Sequence, residues 1–412
     1  MEIASKEAGF DASRLERITE HLERSYIGPG KIAGCQTLVA RHGHVAYFKS
    51  LGLADLERGT PVKDDTIFRL FSMTKPITSV ALMQLYEQGY FQLNDRVSRV
   101  IPEWSDMGVY VSGEGEQIQT RPPKQPMTFA HLLSHQSGLT YGDGLVAVGA
   151  DAPTHPADAA YAAAGVTRGR DDTLGEFVQR LSNVPLRFDP GEKWMYSYST
   201  DVCGYLVESL SGLPFDKYLE QNIFQPLGMK DTAFFVPAEK AARLAAAYFR
   251  RRDKTLRAID DPQASFYLEE PKMFAGGSGL VGTTADYLRF TEMLRRGGEL
   301  DGVRILGPRT IDLMRQNHLT GGRDLSEMAI GVLSETAYEG IGFGLGFAMT
   351  LDNVEAGSIT AGDYYWGGAA STIFWVDPVE DLVAIFMSQL MPSGTFNFRG
   401  QLKSIIYSSI TD

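Results

Sequence analysis

Cysteine is scarce in this chain: only Cys35 and Cys203 occur among 412 residues, each in a largely apolar stretch. Two isolated thiols build neither a disulfide framework nor a Cys-rich metal site, so both are expected to be free and buried. Uncharged apolar runs long enough to span a membrane are also missing. The opening stretch MEIASKEAGFDASRLERITEHLERS is dense in charge and has no apolar core, unlike a secretory signal. These absences predict a cytoplasmic protein with no membrane partner. Positive charge is outweighed as well, with 39 Lys and Arg against 51 Asp and Glu and a formal charge of -12. An acidic surface works against binding a phosphate backbone, which excludes nucleic acid as the expected partner.

Several catalytic signatures are lacking too. There is no Gly-x-Ser-x-Gly elbow, no HExxH, no paired CxxC and no Walker loop. The seven histidines are scattered. His131 and His135 are spaced to share one face of a helix, but further metal ligands are not evident nearby, so structural histidines are the favoured reading. No metal or organic cofactor is implied.

What is present is an ordinary globular composition, 43% hydrophobic, on a chain long enough for two packed units or one domain with a large insertion. An amphipathic helix opens it, with Leu15, Ile18 and Leu22 in helical spacing. Two strand-like runs, 35–41 and 44–52, flank His42-Gly43 as a hairpin. From Ser72 to about Gly89 the pattern is helical, with Ile77, Ala81 and Leu85 on one face. Thr128 can cap a short helix, FAHLLSHQ, that Gly138 would stop. Residues 143–170, rich in Ala, Gly and Asp, read as a long loop or loose helical excursion and a candidate lid. Helical signals follow at 174–181, 201–210 and 215–222. Residues 250–254 read as a solvated turn. Thr284 is a candidate cap for a helix ended by Gly297-Gly298. Strand character returns at 342–351, 371–376 and 381–387, and a final helix spans about 396–408. The expected fold is therefore of the α/β class, α+β type: an antiparallel sheet built from both termini and flanked by helices, with an inserted, mainly helical domain. The expected division is 1–70 with 270–412 as the sheet unit and 71–269 as the helical one, with the active site at their interface.

Chemistry concentrates in three places. In FSMTKP, Ser72 and Lys75 stand at a helix start, and residues i and i+3 share a helix face. A serine hydroxyl is a poor nucleophile until its proton is taken, and a lysine amine can assist if burial or nearby positive potential lowers its pKa. The helix N-terminus favours an oxyanion forming there. Ser-x-x-Lys alone is weak, and a capping serine followed by a solvated lysine is the plain alternative. The second place is WMYSYS (194–199), where a tyrosine could relay a proton or simply be a core tyrosine. The third is YWGGA (365–369), where glycines let backbone approach a ligand and an N–H could join that of Ser72 in an oxyanion hole; a Gly-rich turn is the alternative.

In this order the three places resemble the serine β-lactamase and penicillin-binding-protein superfamily, and more narrowly the family VIII carboxylesterases with their β-lactamase/DD-peptidase-like fold. Supporting stretches are FRLFSMTKPITS, MTFAHLLSHQSGL, PGEKWMYSYSTDVCGYLVE, NIFQPLGMKDT, GGSGLVGTTADYLRF and YWGGAAS. The resemblance implies Ser72 as nucleophile, Lys75 as the residue keeping serine or tyrosine deprotonated, and Tyr196 as general base and acid. It implies an oxyanion hole from the backbone N–H groups of Ser72 and Ala369, and substrate contacts from Trp366, Gly367, Gly368 and Tyr198. Two positions depart from the β-lactamase pattern. Tyr198 stands where an asparagine is usual, and Trp366 stands where a lysine meets the substrate carboxylate. An indole there suits an uncharged ester better than an anionic β-lactam. The expectation is a serine carboxylesterase acting on uncharged, short-chain acyl esters, with a small-molecule ester as partner; monomer and homodimer both fit the sequence. An acyltransferase on the same fold, a weak β-lactamase and a non-catalytic binding protein are the rivals.

Overall fold

In the computed structural model, residues 1–142, 154–167, 169, 171–331 and 336–412 are described. Among them an eight-stranded antiparallel sheet organises the molecule. Its strands are β1 (Gly34–Arg41), β2 (His44–Asp55), β3 (Thr60–Pro61), β4 (Ile341–Phe343), β5 (Ala348–Thr350), β6 (Tyr364–Gly368), β7 (Thr372–Asp377) and β8 (Leu382–Ser388). The spatial order is β4-β5-β6-β7-β8-β1-β2-β3. The two ends of the sequence meet where β1 pairs with β8, from Cys35 opposite Ser388 to Arg41 opposite Leu382. β1 and β8 are buried at every position, as strands covered on both faces must be. The β1–β2 hairpin turns on His42 and Gly43, whose φ values of 57° and 79° suit the tight turns that match strand twist.

The principal helices are α1 (Arg17–Leu22), α2 (Thr74–Glu87), α3 (Phe129–Leu133), α4 (Pro156–Ala163), α5 (Leu174–Leu181), α6 (Ser199–Ser211), α7 (Thr284–Arg295) and α8 (Phe398–Tyr407). Successive strand residues face opposite ways. Phe386 of β8 meets Phe398 of α8 on one face, where α8 also packs on α1. Phe374 of β7 meets Tyr287 of α7 on the other, which carries the helical part of the chain. Trp366 lies opposite Phe374 in the β6–β7 pairing and so points to the helical side. α2 packs along α6 and is buried at every residue from Thr74 to Met83, so it is a core helix and not a one-sided amphipathic one. No helix among the described residues is long and apolar enough to cross a membrane.

The mixed fold with a sheet from both ends matches the expectation, and several elements differ in detail. The apolar run 342–351 is two strands, β4 and β5, because the chain reverses at Gly344 and Gly346. Gly346 has φ 97°, and a Cβ at Gly344 would run into the carbonyl of Met314. The YWGG stretch is itself strand β6 and not a turn before one. Residues 250–254 are the tip of a hairpin, Ala247–Arg250 with Leu256–Asp260, which Leu390–Met391 joins in parallel. The middle of the chain thus contains strands as well as helices. α3 stops at Leu133, before Gly138, since His135 takes a left-handed φ of 55°. α7 is capped by Thr283, whose hydroxyl accepts the N–H of Asp286; Thr284 is its first residue. Of the segment 143–170, residues 143–153, 168 and 170 lie outside the described residues, and so does the lid reading for them. Pro156–Ala163 is a helix, the second of the two readings offered for the segment.

Candidate active site

Ser72 stands where the short strand Phe68–Arg69 runs into α2, in a tight turn over Phe71–Met73. Phe71 has φ 47°, a conformation a bulky residue adopts only when its surroundings hold it there. They do so from three sides. The N–H of Leu70 donates to Leu280 O at 2.9 Å, the hydroxyl of Thr372 donates to Leu70 O at 3.3 Å, and the phenol of Tyr287 donates to Met73 O at 3.0 Å. Ser72 is 7% exposed, which leaves its hydroxyl at the head of a buried helix.

One turn on, Lys75 is 2% exposed. Its Nζ lies 3.2 Å from Ser72 Oγ and donates to Gly277 O at 2.7 Å. The segment around Gly277 is clasped to α2 by two more bonds, Thr78 Oγ1 to Gly276 O at 2.7 Å and Leu280 N to Thr74 Oγ1 at 3.1 Å. Asp201, buried in the first turn of α6, accepts the N–H of Gly277 at 3.0 Å. The ammonium of Lys75 also lies 4.3 Å from the ring centre of Tyr196 and 5.6 Å from that of Tyr141. Cation and aromatic faces attract, which holds the amine between serine and tyrosine.

The indole N–H of Trp366 donates to the phenol oxygen of Tyr196 at 3.1 Å. Trp366 is wholly buried, with its ring 5.4 Å from that of Tyr196 and 5.3 Å from that of Phe343. Its place is therefore against Tyr196, as a strand residue facing the helical layer that covers it. Tyr198 is likewise a buried ring, packed on Tyr141 at 4.6 Å and Phe177 at 5.0 Å. Gly367 and Gly368 end β6 beside the serine turn. A Cβ at Gly368 would run into Leu70 O and Thr372 Oγ1, so only glycine lets the two backbones meet. Ala369 follows directly, in the turn closed by Ser371 N to Gly368 O at 3.0 Å.

The structure thus gathers Ser72, Lys75, Tyr196 and Trp366, with Gly368 against the serine turn. Sequence reading did not single out Gly277 or Asp201 and took His135 for a structural histidine, although each sits in a stretch that carries the resemblance. His131 and His135 do not share a helix face. The ring of His131 folds back to accept the N–H of Thr128, and burial lowers its pKa to about 4. Burial, and secondarily the charge of Lys75, pushes His135 well below the usual imidazole range. Among the described residues no group of three metal-ligating side chains comes together.

The beta-lactamase family profile matches residues 19–404. The chain belongs to the beta-lactamase family. Within the family it is 31% identical to the esterase EstB of Burkholderia gladioli over 95% of this chain and 93% of that one. It is 29% identical to the acyltransferase calJ of Penicillium decumbens, covering 85% of this chain and 82% of that one. Among solved structures it resembles EstCE1, described as a hydrolase with promiscuous acyltransferase activity. That likeness has a TM-score of 0.78 and 28% identity and spans 96% of this chain and 99% of that one. EstB and EstCE1 place this beta-lactamase family member with the family VIII esterases, and the mixed fold with its antiparallel sheet is the fold of the family.

Proposed function

We propose that the protein is a serine carboxylesterase that hydrolyses uncharged acyl esters through an acyl-enzyme on Ser72. One observation carries the reading. A buried lysine amine lies 3.2 Å from the serine oxygen and 4.3 Å from the ring of a tyrosine, at the head of a helix. Tyr196 takes the proton of Ser72, and Lys75 and the indole N–H of Trp366 favour its phenolate. Ser72 Oγ attacks the ester carbonyl. The backbone N–H groups of Ser72 and Ala369 receive the oxyanion, the former at the positive end of α2. Collapse breaks the C–O bond, and the leaving alkoxide takes the proton from Tyr196. Water then gives its proton to Tyr196 and attacks the acyl carbon; the bond to Ser72 Oγ breaks, Tyr196 returns the proton to that oxygen, and the acid is released.

Position 366 holds a neutral indole committed to Tyr196, which favours an uncharged ester over an anionic β-lactam. We place the activity in the cytoplasm, a reading supported by the two unpaired, buried cysteines. The similarity to calJ and EstCE1 favours one second reading, transfer of the acyl group to an alcohol, which uses the same residues.

Hydrolysis of p-nitrophenyl butyrate and of a chromogenic cephalosporin by the wild type and Ser72→Ala tests the proposal. Ester cleavage lost in the variant, with little cephalosporin turnover, is the expected result. Ester cleavage that survives in Ser72→Ala removes Ser72 from its role. Rate acceleration and ester product on adding a primary alcohol would favour transfer.

A further inference from the structure

His135 is 1% exposed and has no part in the mechanism above, yet both its ring nitrogens are engaged at Tyr196's end of the chain. Nδ1 lies 3.2 Å from Ser197 Oγ, and Nε2 lies 3.4 Å from Thr200 Oγ1. One hydroxyl belongs to the residue after Tyr196 and the other to the first turn of α6. The carbonyl of His135 accepts the N–H of Met195, the residue before Tyr196, at 2.9 Å. Its ring centre is 4.9 Å from that of Tyr196 and 6.1 Å from that of Trp194. A buried hydroxyl chain extends the tie: Ser197 Oγ to Ser199 Oγ at 2.8 Å, and Ser199 Oγ to Ser137 Oγ at 2.7 Å. The backbone of His135 is left-handed at φ 55°, a strained choice for a non-glycine residue that aims the ring inward.

A neutral imidazole offers one donor and one acceptor, and hydroxyls can supply the complement of each. A second cation beside Lys75 would raise the cost of both charges in this buried cluster. Leucine or phenylalanine would fill the space but release Ser197 and Thr200. A general base must hold its oxygen within hydrogen-bond reach of the proton it takes, and small displacements cost rate more than binding.

We propose that His135 is a positioning residue for Tyr196, fixing its phenol by tying Met195, Ser197 and Thr200 to the 135–140 segment. The proposal rests on the reading of Tyr196 as proton carrier. The test is a double-mutant cycle of His135→Leu and Tyr196→Phe on p-nitrophenyl butyrate, with His135→Asn as the conservative variant and melting temperatures for all. His135→Leu is expected to lower kcat about 30-fold with KM within about threefold. His135→Asn, which can still reach Ser197, is expected to recover at least about a third of the wild-type kcat. The double variant is expected to be no slower than Tyr196→Phe alone. A kcat within about threefold of wild type in a folded His135→Leu, or losses that multiply in the double variant, would overturn the proposal. If His135→Leu fails to fold, Ser197→Ala/Thr200→Val carries the test, and full kcat in that variant overturns it. Full activity in Tyr196→Phe would sink the proton-carrier reading itself and this inference with it. A Tyr196→Phe that is slow, beside a His135→Leu that is fast, sinks only the role of His135.

Discussion

Trp366 is a neutral residue at a position where the family resemblance has a cation. Its N–H reaches the Tyr196 phenol at 3.1 Å. A donor aimed at an oxygen stabilises the phenolate more than the phenol. Trp366→Phe keeps an aromatic ring and removes the donor, so the phenol pKa rises. On the proposed role of Tyr196 as general base, the limb of the kcat/KM–pH profile set by its deprotonation moves to higher pH, and kcat at neutral pH falls about tenfold, the worth of one hydrogen bond to a charged group. A profile of unchanged midpoint would detach Trp366 from the base. The same bond shows what was legible at this scale. Ser72 and Lys75 could be read as a pair because helix geometry makes three-residue spacing a contact. Trp366 and Tyr196 are 170 residues apart, and their bond exists only because β6 turns that side chain toward the helical layer. The sequence marked both positions and not the contact between them.

At the scale of elements, the proposed active site is a junction between the end of β6 and the head of α2. Gly368 is the point of contact, closed against Leu70 O. Gly368→Ala must push the strand from the serine turn, and a displacement of that kind costs about 100-fold in kcat/KM. We expect that loss with the far-ultraviolet circular dichroism unchanged; an active Gly368→Ala would show that β6 does not set the serine turn. Elements with strong local signals were legible: α5 spans Leu174–Leu181 as its helical pattern suggests, and Gly89 follows α2 with φ 81°. What failed depended on partners elsewhere. The run 342–351 has an unbroken apolar pattern, and its reversal answers to the carbonyl of Met314 in another element. The hairpin around residues 250–254 hid behind its charged tip, since half-exposed strands that short lack a clear alternation.

For the whole molecule, buried histidines link folding to pH. His131 has a pKa of about 4 in the fold against an ordinary 6.5, because burial disfavours its charged form. Its Nδ1 accepts the N–H of Thr128, a bond that protonation destroys. Between those two values the unfolded chain binds more protons than the folded one, so stability falls as pH falls. The loss attributable to His131 is complete below pH 4 and amounts to about 3 kcal/mol. Urea unfolding between pH 7 and pH 4 should show this slope, and His131→Asn, which keeps an acceptor for Thr128 without a titrating ring, should flatten it. An identical slope in the variant would assign the acid sensitivity to other groups. The pairing of β1 with β8 joins residues roughly 350 positions apart. At ordinary elongation rates the ribosome needs about 20–70 s to deliver the second strand after the first. During that wait β1 lacks the partner strand that covers it in the fold, so the nascent β1–β2 hairpin carries an unpaired strand edge. Ser72 is translated early, but Gly368, the strand end packed against its turn, comes off the ribosome near the end, so that turn gains its last neighbour only when synthesis is almost done.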